Sequence, residues 1–505
     1  MSEEKKKKIL IVNKSFAVGG IQSSLINMIN ALKEDYDIDV CVFNNDGQLK
    51  DRVPKEINII KTNKLLQLHG MSVVDAKKIG FLAYVMRAFL GAFDKIFTNK
   101  LFFSLAMLFQ KPLKGYDVAI AYHHEASPKA VMSGFYRFVS KKSDAPVKLG
   151  WIHYDPYYVF FDDRKNEKYM EQMTKIVCVS QGTANIFKKR HPNLKVPIDY
   201  CYNMQDVNRI LALSEEETDV QFSEKTLNCF SACRLGKQKA IPRAIRAFAP
   251  VLKKHQDIRW YIAGDGDDMP EVKRAISECG VEESVVLLGS LSNPYPYFKK
   301  CDLYIQPSIY EAAPMVYGEA LICKTPIFTT KNISASEMVA SDFGVICENS
   351  EDGLRETFAE LAENRGKIME MKNNLEKSDY SNQGIIDKLS EIDDDEIGKS
   401  LTLYESFRRG DELTPEQKQK LLPDREFCGA IYKYLRANNG FSSGEEILCY
   451  RLGLKEEKLS TLKVSLDMFI ELGVINYEKG KRKYAFKISE KVNLYLIFKR
   501  SVSGL

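Results

Sequence analysis

The sequence predicts an α/β protein made of two Rossmann-like domains, followed by a small winged-helix-like α+β domain. Three observations predict it. Short apolar runs bounded by turn residues alternate with helical patterns from Lys8 to Ile392, as in parallel α/β sheets. That alternation is written twice, restarting near Thr226. Beyond the acidic break Asp393–Glu396 the pattern changes to helices and one basic hairpin. The expected domains are 1–205, 206–395 and 396–505.

Composition sets the class. A chain of 505 residues with 45% hydrophobic and 28% charged residues is that of a soluble globular protein with room for several cores. A net charge of +5 is too small for this size to imply nucleic acid. The eleven cysteines form no CxxC pair and no metal-like Cys/His spacing. Cys41, Cys178 and Cys301 lie in apolar runs and read as reduced core residues, so neither metal nor cofactor is expected. Lys5–Lys8 is followed only by Ile9–Val12 before polar Asn13, which is no secretory pattern; a cytoplasmic location is expected.

In the first half, Ile9–Val12 is a strand, Gly19-Gly20 a turn, Gln22–Leu32 an amphipathic helix and Asp37–Phe43 the next strand. This is half of a dinucleotide-type unit, although two glycines fall short of GxGxxG. Lys77–Lys111 is rich in Phe, Leu and Met, and Arg87, Asp94, Lys95 and Lys100 interrupt it. No run reaches the roughly 18 apolar residues of a membrane span. Two readings stay open: helices buried on the first sheet, or an interfacial surface with a basic fringe touching a membrane through 79–110. Tyr116–Ala121 is a strand leading to His123-His124, and Val147–Ile152 one leading to His153-Tyr-Asp155. His153 is a site candidate because it stands at a strand's carboxyl end, where clefts form in such sheets. Lys175–Ser180 closes this half.

The second half opens with strand Asn228–Cys233, the loop carrying Arg234 and Lys239, and a helix from Pro242 to His255. Strand Arg259–Ala263 turns through Gly264–Asp268. Its Asp265-Gly-Asp267 is only three letters long and reads as a turn rather than a metal site. Helix Pro270–Cys279, strand Val285–Leu288 and Tyr297–Lys300 follow. Then comes the most informative stretch, Cys301–Thr330: strand Leu303–Ile305, a loop, Pro314 at the first helical position, helix Met315–Ile322 and strand Ile327–Thr330. A helix N-terminus at a strand's carboxyl end is an anion site, because its free N–H groups and dipole favour negative charge. Glu311 in the loop and Glu319 one turn into the helix, seven residues between them, frame that site. Phe343–Cys347 is the final strand.

PSIYEAAPMVYGEALICKTPIF resembles the signature of the retaining, nucleotide-sugar-dependent glycosyltransferases of family four. Arg234 and Lys239 resemble the family's arginine-and-lysine motif, with Cys233 and Ala240 where it has glycines. Ser334–Val339 resembles its segment ending in a glutamate. The resemblance covers about Lys8 to Ile392 and implies the GT-B architecture, two domains facing across a cleft. It implies that Arg234, Lys239 and the N–H groups near Met315 and Val316, beyond Pro314, hold a diphosphate, and that Gly19 and Gly20 face it. By the same resemblance Glu319 receives ribose hydroxyls, Glu311 orients the donor sugar and His153 approaches from the acceptor domain. The implied partners are a nucleotide diphosphate sugar donor, most readily UDP-linked, and a cell-surface polysaccharide or lipid-linked glycan acceptor. The implied reaction is hexosyl transfer with retention and without metal.

The remainder contains three helical patterns, Arg425–Leu435, Ser443–Arg451 and Glu457–Leu472, and a hairpin around Lys479–Lys483. ELGVINYEKGKRKY resembles the tail of bacterial single-strand exonucleases, without a nuclease site. Two alternatives therefore stand beside the transferase: a UDP-sugar epimerase of the same fold, and a non-catalytic assembly or DNA-contacting protein.

Overall fold

The computed structural model describes residues 6–97, 100–126, 130, 133–159, 163–393, 475–478 and 483–486. The chain forms two compact units, Met1–Asp393 and Asp394–Leu505. In the second, strands Ile475–Glu478 and Lys483–Phe486 pair antiparallel, Ile475 opposite Phe486 and Glu478 opposite Lys483. The three predicted C-terminal helices lie outside the described residues.

The first unit holds two parallel sheets. In the first, strands β1 (Lys8–Asn13), β2 (Asp37–Val42), β3 (Asn58–Lys61), β4 (Val118–Ala121), β5 (Val147–Ile152), β6 (Lys175–Cys178) and β7 (Ile198–Tyr200) lie in the order β3-β2-β1-β4-β5-β6-β7. In the second, β8 (Leu227–Ala232), β9 (Ile258–Ala263), β10 (Val285–Gly289), β11 (Leu303–Gln306), β12 (Ile327–Thr330) and β13 (Gly344–Cys347) run β10-β9-β8-β11-β12-β13. Both are covered on two faces, which is why their strands read as unbroken apolar runs. Ile9 and Ile11 pack with Leu25, Ile29 and Trp151, while Leu10 and Val12 pack with Phe43, Phe135 and Phe138. In the second sheet Leu303 and Ile305 join Phe248, Trp260 and Phe358, and Tyr304 between them faces Phe230 and Phe298.

Strand order reverses once in each sheet, between β1 and β4 and between β8 and β11. Loops leaving adjacent strands in opposite directions open a crevice at such a point, and ligands bind there. The loops after β8 and β11 carry Arg234, Lys239 and Glu311; those after β1, β4 and β5 carry Gly19, Gly20, His123, His124 and His153.

The chain crosses between the sheets twice. After β7 it passes to the second sheet, and the helix Gln383–Asp393 returns to pack Leu389 and Ile392 into the first sheet's core. The crossings are tied together: Gln205 N–H donates to Asn382 Oδ1 at 3.0 Å, and Asn382 Nδ2 donates to the Gln205 carbonyl at 2.7 Å.

Between β3 and β4 the helices Lys64–Gly70, Val73–Ile79, Phe81–Phe97 and Lys100–Leu108 form an insertion. The reading that buries these helices holds for one face only. Leu66, Phe103, Ala106 and Met107 join the first sheet's core, whereas Phe81 is 82% exposed, Leu82 73% and Phe89 57%. Arg87 and Asp94 are buried on the same helix as those exposed rings. The inward side of this helix thus carries Arg87 and Asp94 beside apolar Leu90, while several large apolar side chains face outward.

The helix Ile241–Lys254 begins differently from expectation. Its N-cap Ala240, at the position where the resembled family has glycine, is left-handed, φ 51° and ψ 31°. A Cβ in that region costs roughly 1–2 kcal/mol, because it crowds the following carbonyl. Ala240→Gly is therefore expected to stabilise the fold by about 0.5–1 kcal/mol, after the glycine's extra unfolded-state entropy is subtracted. Urea titration at constant m-value measures this; a loss of stability would refute it.

Candidate functional site

The β8 loop is built on a glycine turn beneath it. Gly264, at φ +131°, lies so close that a Cβ there would stand 1.8 Å from the Cys233 carbonyl oxygen. Leu235 N–H donates to the Asp265 carbonyl and Asp268 N–H to the Leu235 carbonyl, both at 3.0 Å. The Gly264–Asp268 turn thus supports the cation loop, and Asp265 Oδ1 accepts its neighbour Gly266 N–H. Among the described residues no group of three or more His, Cys, Asp or Glu is placed to hold a metal. Arg234 is exposed at the loop's crest, where its charge reaches Tyr310. Lys239 ends the single 3₁₀ turn Lys237–Lys239 and points back across the crevice.

The β11 loop meets it. Lys239 Nζ lies 2.5 Å from Glu311 Oε1, an ion pair between the two loops of the switch point. Glu311 is only 6% exposed. Its Oε1 also accepts from Ser308 Oγ at 2.7 Å and Gln306 Nε2 at 3.0 Å, while Oε2 takes one long bond from Gln238 Nε2, 3.3 Å. One oxygen is saturated, and the other retains acceptor capacity. Gln238 Nε2 also holds the Tyr310 carbonyl at 2.8 Å, fixing the loop's path.

Pro314 is the N-cap of the helix Met315–Ile322, one residue earlier than expected, in extended conformation. The N–H groups of Met315 and Val316 open the first turn, where no intrahelical acceptor exists. Gly19 caps the helix Gly20–Leu32 with extended φ, and a Cβ on Gly20 would meet nothing within 4 Å, so its own fold does not demand glycine there.

Glu319 stands apart from Glu311. Tyr295 Oη lies 3.5 Å from its Oε1, and burial raises the carboxyl to about 7 despite that bond and the Arg52 charge. Arg52, from the first sheet's side, shares this region electrostatically with Arg209 and Tyr295. Each arginine keeps one guanidinium nitrogen buried without an acceptor among the described residues. Neither arginine is signalled by a motif.

From the first sheet, His153 Nε2 donates to the Tyr122 carbonyl at 2.8 Å. Burial, helped by the nearby His123, lowers its pKa to about 3, so the imidazole is neutral with Nδ1 as its lone-pair acceptor. His153 and Glu311 meet in one cavity of about 310 Å³, also lined by Asp155, Tyr158, Gln238 and Tyr310. Asp155 and the two tyrosines were not singled out in the sequence; the only hint was that Asp155 follows His153 by two residues.

The lobes are held together by polar contacts around this cavity. Ser180 Oγ and Thr183 Oγ1 donate to the Ala312 carbonyl at 2.8 and 3.2 Å, and Asn203 Nδ2 to the Ala313 carbonyl at 3.0 Å. Glu337 of the second lobe accepts from Gln181 and Gly182 N–H groups, each at 3.0 Å, and from Tyr202 Oη at 2.7 Å. A carboxylate on a helix N-terminus is a favourable charge–dipole contact. Gly182 allows it, since a Cβ there would stand 2.0 Å from the Ile333 carbonyl oxygen.

Two covered parallel sheets facing across such a cleft define the GT-B fold. Residues 214–378 match the family model for Glycosyl transferases group 1. The crystal structure of Anabaena HepE with UDP-glucose shares the fold at TM-score 0.51 and 17% identity, covering 76% of this chain and 99% of that one. TarM of S. aureus does so at TM-score 0.52 and 14% identity, covering 78% and 100%. Among curated proteins, the Campylobacter jejuni N-acetylgalactosamine-N,N'-diacetylbacillosaminyl-diphospho-undecaprenol 4-alpha-N-acetylgalactosaminyltransferase is 31% identical over 188 residues, 34% of this chain and 50% of that protein. The Streptococcus pneumoniae alpha-monoglucosyldiacylglycerol synthase is 28% identical over 183 residues, 36% and 38% respectively. This chain therefore spans half or less of these two relatives' lengths. The similarity to the group 1 glycosyltransferases thus lies in residues 214–378.

Glu319 gives a stability test. A carboxyl raised to about 7 when folded, against about 4.3 unfolded, binds more protons in the folded state between those values. Its contribution is present below pH 4.3 and lost as pH rises through 7. The stability of Glu319→Gln relative to wild type should therefore increase from pH 5 to pH 8 in denaturant titrations. A flat difference would show that Glu319 titrates normally.

Proposed function

We propose that this protein is a retaining, metal-independent glycosyltransferase that moves a hexose from a nucleotide diphosphate sugar, UDP-linked, to a lipid-linked glycan or cell-surface polysaccharide. The observation that carries this reading is the Lys239–Glu311 pair at the β8–β11 switch point, which joins a cation for a diphosphate to a carboxylate for a sugar. As the glycosidic bond breaks, negative charge accumulates on the leaving diphosphate. Arg234, Lys239 and the N–H groups of Met315 and Val316 are fixed donors for that charge. Glu311 turns its open Oε2 to the donor sugar's hydroxyls, Glu319 takes the ribose hydroxyls, Gly19 and Gly20 leave room for the phosphates, and His153 offers Nδ1 from the acceptor lobe. The leaving phosphate, on the same face as the acceptor, helps to remove its proton. The two curated relatives are both named for α-linked products on lipid-bearing molecules, which supports this substrate class. The epimerase and DNA-contacting alternatives are not favoured by them.

The exposed apolar side chains of the insertion fit a lipid-linked acceptor. No helix among the described residues is long and apolar enough to cross a membrane. Exposed Phe81, Leu82, Phe89, Leu101 and Leu108, flanked by Lys77, Lys78 and Lys111, form the apolar face and basic fringe of a peripheral contact on the inner face of the cell membrane.

The first test is turnover of UDP-, GDP- and ADP-sugars. One donor should be hydrolysed, with kcat/KM falling about 10²–10³-fold in Lys239→Ala and the donor KM rising in Glu319→Ala. Binding or turnover of no donor would sink the enzyme reading. For the membrane face, binding to vesicles of anionic phospholipid should weaken about tenfold or more in Phe81→Ser with Leu82→Ser, two side chains worth roughly 1.5–3 kcal/mol each when buried. Equal binding by both proteins would remove this face from the proposal.

A further inference from the structure

Asp155 is a buried carboxylate with one oxygen left over. The residue is 5% exposed. Its Oδ1 accepts the Tyr157 N–H at 2.9 Å, closing a local turn after β5. Its Oδ2 is buried with no hydrogen-bond partner among the described residues. Burial raises this carboxyl above the usual range, and the Glu311 charge across the cavity adds to that. A buried oxygen without a donor costs free energy unless something supplies one. Asp155 lines the 310 Å³ cavity, so the donor is sought there.

The same cavity has an aromatic wall. Tyr158 from the first lobe and Tyr310 from the second stack at 4.1 Å between centroids and 9° between planes. Tyr158 is 44% exposed, so part of the ring is open beyond its stack on Tyr310. A carboxylate acceptor beside a flat aromatic face is the pairing that suits a pyranose: hydroxyls donate to the carboxylate while the ring's C–H face lies on the aromatic surface. A glycerol or plain acyl headgroup needs no such wall.

We propose that Asp155, with Tyr158, binds the acceptor, that the acceptor end presented to the site is a pyranose ring, and that Asp155 Oδ2 accepts one of its hydroxyls. This rests on the glycosyltransferase reading and deepens it by naming the residues that hold the acceptor and the ring form of the acceptor end they receive. Asp155 faces Glu311 from the opposite lobe, so the acceptor and donor carboxylates approach the transferred sugar from opposite lobes. The Tyr158–Tyr310 stack places one ring from each lobe on the wall of this cavity.

Asp155→Asn tests it cleanly, because the amide keeps Oδ1 for the Tyr157 N–H and replaces only the free oxygen. With a UDP-sugar that wild type hydrolyses, transfer is measured to a panel of p-nitrophenyl α- and β-pyranosides and to dioleoylglycerol. UDP affinity is measured by calorimetry. The expected result is transfer to a pyranoside by wild type, and a fall of tenfold or more in acceptor kcat/KM in Asp155→Asn. Donor hydrolysis and UDP affinity should stay within about twofold. A parallel fall in hydrolysis or UDP affinity would place Asp155 in the donor site and overturn the proposal, as would unchanged transfer. Transfer to dioleoylglycerol and to no pyranoside would overturn the acceptor class. If Asp155→Asn does not fold by thermal melting, Tyr158→Ala gives the same discrimination at an exposed ring: acceptor-selective loss supports the proposal and no effect overturns it. Absence of any donor hydrolysis by wild type is a different failure, since it removes the glycosyltransferase reading itself.

Discussion

The ion pair between Lys239 and Glu311 is the contact on which the rest of the cleft depends. Both groups are largely withdrawn from water, and desolvating two charges can cost as much as their attraction returns. Such a pair is weak evidence for stability. Its position gives it meaning: it bridges the loops after β8 and β11, where strand order reverses, and three further donors fix the carboxylate. A buried carboxylate held this way is preorganised, so a ligand hydroxyl meets an acceptor that need not reorient. Lys239, with one acceptor in the pair, keeps donors free for an anion.

Around that pair, the two lobes are joined by directed polar contacts. Carbonyls of Ala312 and Ala313 receive side chains from the other lobe, and Glu337 sits on the first turn of the helix Gln181–Arg190. Hydrogen bonds of this kind lose little net free energy when exchanged for water, roughly 0.5–1.5 kcal/mol each. Apolar packing accompanies them, since Ala312 and Ala313 also lie against the first sheet's core. At the crossings the side-chain amide of Asn382 alone holds both the N–H and the carbonyl of Gln205.

How much of this is legible in the sequence depends on distance along the chain. Glu311 and Glu319 lie within one strand–loop–helix unit, so residue type and spacing locate them, and the resemblance to a family motif marks Arg234 and Lys239 in another such unit. His153 is legible because a strand end predicts its place. Asp155, Tyr158, Tyr310 and Arg52 acquire meaning only from partners on the other lobe, and no local period records that. Glu337 is visible as a segment, but its partners, the N–H groups of Gln181 and Gly182, belong to the other domain. Ala240 marks the opposite case. The sequence puts an alanine where the resembled family has glycine, and the backbone takes the left-handed turn regardless, since the Lys237–Lys239 turn and the helix after it fix that φ from both sides.

In the insertion between β3 and β4, composition leaves two readings open. Its Phe, Leu and Met content suits a core helix, yet the helix Phe81–Phe97 directs Arg87 and Asp94 inward and Phe81, Leu82 and Phe89 outward. Arg87 is accommodated because its Nε donates to the Met71 carbonyl at 2.8 Å. Asp94 is not: neither oxygen has a hydrogen-bond partner among the described residues, and burial lifts its pKa to about 6. A helix selected for water would exchange these faces and gain on both, since exposed rings and buried charges are each unfavourable. The two costs are unequal: exposed apolar side chains are common on protein surfaces, whereas Asp94, buried without a donor among the described residues, carries the larger penalty, which the Arg87 and Arg137 charges partly offset.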